Sequence, residues 1–153
     1  MGNIFNTDFI EFIEALNLFK VEYVLIGGYS VIIHGYNRTT GVMDIFVRAS
    51  VNNHLKLQKA FGYFGMFMGD MNLENFLDVE KNDVFVFGRP PVSIEIITKI
   101  KGPDFEEVYK SAFDFKIENN IYVKTIHINE LRRAKQASNR PRDLDDLDNL
   151  KMQ

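Results

Sequence analysis

The sequence predicts an α+β fold, in which helices flank a mixed β-sheet and further helices form the C-terminus. Helix and strand patterns alternate through the first half of the chain, two adjacent pairs of strand patterns follow, and helical patterns close it. The chain has 153 residues and shows no internal repeat, low-complexity tract or linker. This length suits one domain with one sizeable core, so we expect a single domain over residues 1–153.

The N-terminal half begins with an amphipathic helix. Phe9, Phe12, Ile13 and Leu16 follow the i, i+3, i+4, i+7 spacing of one helical face, which predicts a helix over Thr7–Phe19. β-rich segments, a glycine break and a second apolar stripe define the elements that follow. They are a strand over Glu22–Ile26, a short helix over Tyr29–Tyr36, a strand over Met43–Arg48 and a helix over Val51–Phe64.

The C-terminal half is predicted to hold two pairs of strands and two final helices. Turn residues at Gly88–Pro91 and Glu118–Asn120 join the strands of each pair. We expect Asn129 to cap a helix over Asn129–Ala137, and Pro141 to begin the last helix. The other predicted elements are a short helix over Leu73–Val79, strands over Asp83–Phe87 and Val92–Thr98, a helical turn over Phe105–Lys110, and strands over Phe113–Ile117 and Ile121–Ile126.

The composition narrows the class of protein. Hydrophobic residues make up 46% and charged residues 25%, the balance of a soluble globular protein, and no apolar run reaches the 18 residues that predict a membrane-spanning helix. The absence of cysteine excludes disulfides, thiolate zinc sites and cysteine nucleophiles, and it agrees with a cytoplasmic location. A net charge of −3 does not favour a general nucleic-acid binder.

The glycine pair Gly27-Gly28 is the first candidate for a binding site. It lies between a predicted strand and a predicted helix, where glycine lets the backbone approach a phosphate closely and the helix N-terminus offers free N–H groups. Ser30 is placed to add a hydroxyl. The pair is not a P-loop, because no Gly-Lys-Ser/Thr follows it. A tight strand-to-helix connection without any ligand is the alternative explanation.

The second candidate is a pair of acids within strands. Strand alternation puts Val42, Asp44 and Phe46 on one face, and Glu95 lies in a similar apolar strand. A carboxylate buried in a sheet is costly unless it is paired or binds a metal. Two such carboxylates facing one cleft suit Mg²⁺, which takes one or two carboxylates and substrate phosphates. The alternatives for Asp44 are a salt bridge to Arg38 or a strand end open to water.

These motifs together resemble the nucleotidyltransferase superfamily, whose fold DNA polymerase β shares. The resemblance begins with Gly27–Ser30, continues with Arg38-Thr39-Thr40 and an acid-bearing strand, and is strongest for a small bacterial group related to the toxins of type IV toxin–antitoxin systems. It covers the chain from about Asp8 to Leu150. The tail residues that match this group include Lys135, Arg140, Asp143, Asp146 and Leu150.

The resemblance implies a Mg²⁺-dependent transfer of a nucleotidyl group from an NTP to a hydroxyl of a protein, an RNA or a small molecule. In that family two metal ions polarise the α-phosphate and activate the acceptor hydroxyl for in-line attack. Asp44 and Glu95 match the second and third metal-binding, catalytic acids. The resemblance also implies an antitoxin-like protein partner and no membrane partner. The residues implied to bind the nucleotide are Gly27, Gly28, Ser30, Arg38 and Lys135.

This chain departs from the family pattern at one position. The family's first metal-binding acid corresponds to position 42, which is Val42 here. One Mg²⁺ bound by Asp44, Glu95 and the substrate phosphates remains compatible with the residues present. Two hypotheses therefore stay open: a nucleotidyltransferase with impaired activity, and a catalytically inactive member that binds a nucleotide or a protein partner.

The charged residues near the C-terminus and the histidines carry weaker signals. Spacing alone favours a solvated helical surface for Lys135, Arg140, Asp143 and their neighbours, where ion pairs contribute little. The three histidines show no metal-ligand spacing. We expect His34 to be packed or hydrogen-bonded rather than catalytic, and Tyr29 to lie in the core or in a pocket wall.

Overall fold

The computed structural model describes residues 5–89 and 92–150, and in this part of the chain the α+β class is confirmed. Six strands form one mixed sheet, and seven helices are present within these residues. The helices are α1 Thr7–Leu18, α2 Gly27–Ile33, α3 Val51–Phe64, α4 Leu73–Leu77, α5 Phe105–Ser111, α6 Ile128–Ser138 and α7 Pro141–Leu150. The strands are β1 Tyr23–Ile26, β2 Val42–Val47, β3 Val84–Arg89, β4 Val92–Ile97, β5 Phe113–Glu118 and β6 Ile121–Thr125.

The sheet has the strand order β3-β4-β2-β1-β6-β5. Strands β1 and β2 are antiparallel, as are the pairs β3–β4 and β5–β6. Strand β2 runs parallel to β4, and β1 runs parallel to β6. The central strands β1, β2 and β4 therefore come from separate parts of the sequence, which brings distant side chains together on one face of the sheet.

Two apolar layers cover the two faces of the sheet. The larger cluster packs α1 and α3 against Met43, Ile45 and Val47 of β2. The smaller cluster packs residues of α5, α6 and α7 against Phe46 and the central part of β1. Residues of β2 alternate between these clusters as the period of a strand requires, and Asp44 consequently lies on the face with the smaller cluster.

Some predicted boundaries differ from the structure for identifiable reasons. The cap of α6 is His127 rather than Asn129, because the His127 Nδ1 atom accepts a hydrogen bond of 3.1 Å from the Asn129 N–H. The predicted turn at Gly88–Pro91 falls partly within β3, and its Pro90 and Pro91 lie outside the described residues. The predicted helical turn at Phe105 is a full helix, α5, stabilised by a capping box between Asp104 and Glu107.

Helix lengths and hydropathy also bear on membrane association. Within residues 5–89 and 92–150, no helix combines the length and the apolar character that crossing a bilayer would require.

Replacing Phe61 by alanine tests the larger core cluster. The Phe61 ring is fully buried and packs edge-on against Phe12 and Phe87, with centroid distances of 5.5 and 4.9 Å. We expect Phe61→Ala to lower the free energy of unfolding by about 3–5 kcal/mol, because it removes an aromatic contact surface and leaves a cavity. Chemical denaturation measures this. The control Phe67→Ala, at a side chain that is 86% exposed, should change stability by no more than about 0.5 kcal/mol.

Candidate functional site

A cavity of about 470 Å³ opens on the face of the sheet that carries Asp44. Its floor is formed by the ends of β1, β2 and β4, and its walls by the start of α2, the segment before β2, and the α6–α7 region. The predicted site residues that line it are Gly27, Gly28, Arg38, Asp44, Glu95 and Lys135. The fold therefore gathers six of the seven predicted residues around one cavity, and Ser30 is the exception.

Glycine is required at this turn both by the backbone conformation and by the close packing of neighbouring side chains. Gly27 has φ = +70°, and a Cβ atom there would overlap the Oδ2 atom of Asp44, a conformation and a contact that only glycine permits. A Cβ on Gly28 would lie 2.9 Å from the Oγ1 atom of Thr40. The Asp44 carboxylate thus lies directly against the glycine turn, so the two sequence motifs form one site.

Ser30 has a structural position beneath this turn. Its side chain is fully buried, and its hydroxyl donates a hydrogen bond of 2.6 Å to the Gly27 carbonyl oxygen. Among the described residues it does not contribute to the cavity lining. Ser30 therefore stabilises the glycine turn instead of presenting its hydroxyl to a ligand.

Asp44 and Glu95 lie side by side on neighbouring strands. The register of the parallel pair β2–β4 makes them direct partners, and both side chains line the cavity. Burial and, after it, the charge of Glu95 raise the pKa of the Asp44 carboxyl to about 7, while nearby Lys135, Arg140 and Arg38 act to lower this pKa. The two carboxylates therefore repel each other, and a cation bound between them would reduce that repulsion.

The alternative explanations for Asp44 do not hold in the structure. Arg38 pairs with Asp146, whose Oδ1 atom is 3.2 Å from the Arg38 Nε atom. Within the described residues, the Asp44 carboxylate has neither an ion pair nor a side-chain hydrogen bond. Asp44 also lies inside β2, not at a strand end. The Asp44 carboxylate is therefore available to a ligand in the cavity.

Val42 contributes an apolar surface where the family pattern has an acid. It lines the cavity, and its neighbour on β4 is Ser93. Among the residues described, no group of three or more His, Cys, Asp or Glu side chains is arranged to hold a metal ion. The available donor set is the Asp44–Glu95 pair, which suits one Mg²⁺ whose remaining ligands are phosphate and water oxygens.

Five charged residues form an ion network beside the cavity, in which Lys135, Asp143 and Asp146 are buried and the Arg140 side chain is 71% exposed. Lys135 Nζ lies 3.0 Å from Asp146 Oδ2 and 3.3 Å from Asp143 Oδ1. Arg140 Nε lies 2.8 Å from Asp143 Oδ2, and Arg38 pairs with Asp146. We call Arg38, Lys135, Arg140, Asp143 and Asp146 the ion network. Its three cations all line the cavity and all act on the charge of Asp44.

The solvated surface expected for these C-terminal residues is therefore wrong for Lys135, Asp143 and Asp146. Both acids are fully buried and Lys135 is 7% exposed. The reason is that α7 packs against α6 through Leu147 and Leu150, and the acids three positions apart on α7 turn inward with them. The expectation holds for residues such as Asp148, which is exposed.

Hydrogen bonding keeps Asp143 ionised despite its burial. Burial acts to raise the pKa of Asp143, but hydrogen bonds from Arg140 and the charge of Lys135 bring this pKa below its usual value. The Asp143 carboxylate is thus a permanent negative charge that holds Lys135 and Arg140 in place.

The histidine and tyrosine expectations agree with the structure. His34 makes a hydrogen bond of 2.7 Å between its Nε2 atom and the Ile126 carbonyl oxygen, and burial lowers its pKa. Tyr29 is 4% exposed and its ring packs against Phe5 and Phe9. Neither side chain belongs to the cavity lining within the described residues.

Sequence reasoning missed the role of Thr40. Its Oγ1 atom bonds the Val42 N–H at 3.3 Å, and its side chain fills the space above Gly28. The short Arg38-Thr39-Thr40 motif contained this residue, but only the contact with Gly28 shows why a small β-branched side chain is needed there.

Comparison with known proteins does not add a family assignment. No protein-family model matches the chain, and a search of curated proteins finds no match. The chemistry of the cavity therefore carries the functional interpretation.

A glycine-to-alanine pair tests the contact between the turn and Asp44. We expect Gly27→Ala to lower the free energy of unfolding by at least about 1–2 kcal/mol, since alanine is strained at positive φ and its Cβ would displace the Asp44 carboxylate. The control is Gly62→Ala within α3, where an added Cβ meets nothing within 4 Å. There the higher helix propensity of alanine should raise stability by about 0.5–1 kcal/mol. Equal effects of the two changes would contradict the packed turn.

The pKa of Asp44 predicts a pH dependence of stability. Between its ordinary pKa of 3.8 and about 7, the folded chain holds a proton that the unfolded chain has lost, so this residue lowers stability as the pH rises through that window. In Asp44→Asn this contribution is absent, and the variant should gain stability relative to wild type as the pH rises.

Denaturation of both proteins at several pH values measures this gain, and ¹³C NMR of the carboxyl gives the midpoint directly. Asp114→Asn, at an exposed residue of β5, is the control. A carboxyl midpoint near 4 would contradict the prediction.

Proposed function

We propose that this chain is a nucleotidyltransferase-like protein that binds an NTP together with Mg²⁺ and transfers its nucleotidyl group at a reduced rate. The observation that carries the proposal is the position of the Asp44–Glu95 pair: Asp44 lies against the glycine turn, and the cavity that both acids line is also lined by six Lys and Arg residues among the described residues. Carboxylates, a glycine turn and cations are the groups that a metal-bound polyphosphate requires.

Each part of the cavity has a role in this proposal. Asp44 and Glu95 would hold one Mg²⁺, which when bound neutralises phosphate charge and polarises the α-phosphate. The absence of side chains at Gly27 and Gly28 lets the Asp44 carboxylate and Thr40 lie against the start of α2, which places Asp44 at the cavity. Arg38, Lys135 and Arg140 would then bind the remaining phosphate oxygens, and Lys135 is the most firmly fixed of these because two buried acids hold it.

The transfer step would join an acceptor hydroxyl to the α-phosphorus. The hydroxyl oxygen forms the new bond, the bond from the α-phosphorus to the bridging oxygen breaks, and pyrophosphate leaves. The hydroxyl proton would pass to a carboxylate oxygen of the Asp44–Glu95 pair that is not bound to the metal ion. The acceptor is a protein, an RNA or a small molecule.

Nucleotide binding without transfer is the second candidate function, and Val42 favours it. Val42 lines the cavity next to Asp44 but offers no oxygen for a second metal ion. A chain with this change would retain the polyphosphate site and act through binding a nucleotide or an antitoxin-like protein partner in the cytoplasm.

Calorimetric titration of ATP, GTP, CTP and UTP, with and without Mg²⁺, tests the proposed function. We expect wild-type protein to bind at least one NTP in a Mg²⁺-dependent manner. Asp44→Asn should weaken that binding by about tenfold or more, the effect of one lost charged contact, while Asp114→Asn on the far edge of the sheet should bind as wild type does.

The variant Val42→Asp separates the two candidate functions. If Val42 alone limits transfer, Val42→Asp should release pyrophosphate from the bound NTP faster than wild type does. Mg²⁺-dependent binding without pyrophosphate release in either protein would favour the second candidate. If neither protein binds any NTP, the nucleotide proposal is wrong.

A further inference from the structure

The ion network has a member that does not itself line the cavity. Asp146 is fully buried and absent from the cavity lining among the described residues. It nevertheless contacts two cations that do line the cavity, Lys135 at 3.0 Å and Arg38 at 3.2 Å. These two cations come from α6 and from the segment before β2, so Asp146 links two walls of the cavity.

The arginines of the network keep part of their guanidinium groups for other partners. Arg38 and Arg140 each direct their Nε and Nη2 atoms to one carboxylate, which leaves the Nη1 donors of both groups without a contact in the described residues. In addition, the buried Arg38 N–H at Nε is not aligned for a hydrogen bond with Asp146 despite their proximity. The Nη1 groups of Arg38 and Arg140 therefore remain as donors beside the cavity, whereas the Arg38 Nε is buried against Asp146.

The charge of the network is suited to an anion. Its three cations exceed its two acids, so the network carries one net positive charge. A group with excess positive charge and N–H donors beside a cavity is stabilised by an anion with several oxygens. An extended polyphosphate can contact all three cations, and the buried Asp146 holds two of them, Arg38 and Lys135.

We infer that Asp146 is a positioning residue for a polyphosphate subsite formed by Arg38, Lys135 and Arg140, and that this subsite binds polyphosphate without a divalent ion. The inference rests on the proposed nucleotide function and deepens it, because it assigns the polyphosphate to side-chain cations and not to the Asp44–Glu95 pair. Helix α7, through Asp143 and Asp146, organises these cations before any ligand arrives.

An effect of charge alone and a positioning role of Asp146 predict opposite changes in anion binding for Asp146→Asn. This change removes a negative charge next to the cavity, so an effect of charge alone would strengthen anion binding. If Asp146 acts by position, the loss of its contacts with Arg38 and Lys135 releases both cations and weakens binding. The probe is inorganic triphosphate in the presence of EDTA, measured by isothermal titration calorimetry.

We expect wild-type protein to bind inorganic triphosphate in EDTA, and Asp146→Asn to bind it at least about tenfold more weakly. The control Asp148→Asn makes the same charge change on the same helix at an exposed residue, and it should bind as wild type or slightly more tightly. Unchanged or tighter binding by folded Asp146→Asn would overturn the positioning role. No binding by wild type in EDTA would overturn the metal-free subsite.

A second variant decides the question if Asp146→Asn does not fold, as circular dichroism would reveal. Arg38→Lys keeps every charge, but it replaces the guanidinium group, whose Nε and Nη2 atoms contact Asp146, with a single ammonium group. We expect about tenfold weaker triphosphate binding from this change, and unchanged binding would overturn the inference. Two measurements on wild-type protein separate the inference from the proposed function: Mg²⁺-dependent NTP binding tests the proposed function, and triphosphate binding in EDTA tests the subsite.

Discussion

Two carboxylates that are direct partners on neighbouring strands repel each other, and the arrangement of the cavity follows from the need to tolerate that repulsion. Asp44 and Glu95 share one face of the sheet, and the Asp44 carboxylate occupies the space that a side chain at Gly27 would need. Lys135, Arg140 and Arg38 reduce the cost by attracting the Asp44 charge. The carboxylate pair and the cations therefore depend on each other.

The cations themselves require compensation, because a charge removed from water is costly unless it is paired and hydrogen-bonded. Helix α7 supplies it through two acids three positions apart, Asp143 and Asp146. Apolar residues of the same helix, Leu147 and Leu150, fix it to the rest of the domain. The last helix of the chain thus determines the electrostatics of a cavity whose floor is formed by the central strands.

Val42 bears on how the proposed phosphate contacts would be divided between a metal ion and the cationic side chains of the cavity. Under the proposed function, the donor set beside Val42 suits one divalent ion, and Arg38, Lys135 and Arg140 would bind the remaining phosphate charge. Polyphosphate binding would then persist where the transfer chemistry is weak. In this proposal the loss of one acid affects the reaction more than the recognition of the ligand.

The sequence by itself determined the local features of this protein. Its apolar periodicities predicted the α+β class and the positions of most helices and strands, because these patterns report on faces of single elements. Strand alternation also placed Asp44 on a face different from that of Met43 and Ile45. The glycine pair was expected in a turn before a helix at Tyr29, and in the structure it forms the first two residues of α2, directly after β1.

Only the tertiary structure decided which of these features meet. The parallel register of β2 and β4 brings Asp44 next to Glu95, and no local pattern encodes such a register between distant segments. The packing of α7 on α6 buries Lys135, Asp143 and Asp146, although their spacing is that of a solvated surface. The Ser30 hydroxyl donates to the Gly27 carbonyl oxygen three residues earlier, a local contact that depends on the backbone shape at Gly27. The other two cases depend on how separate elements pack against each other, and such packing leaves no signal within one element.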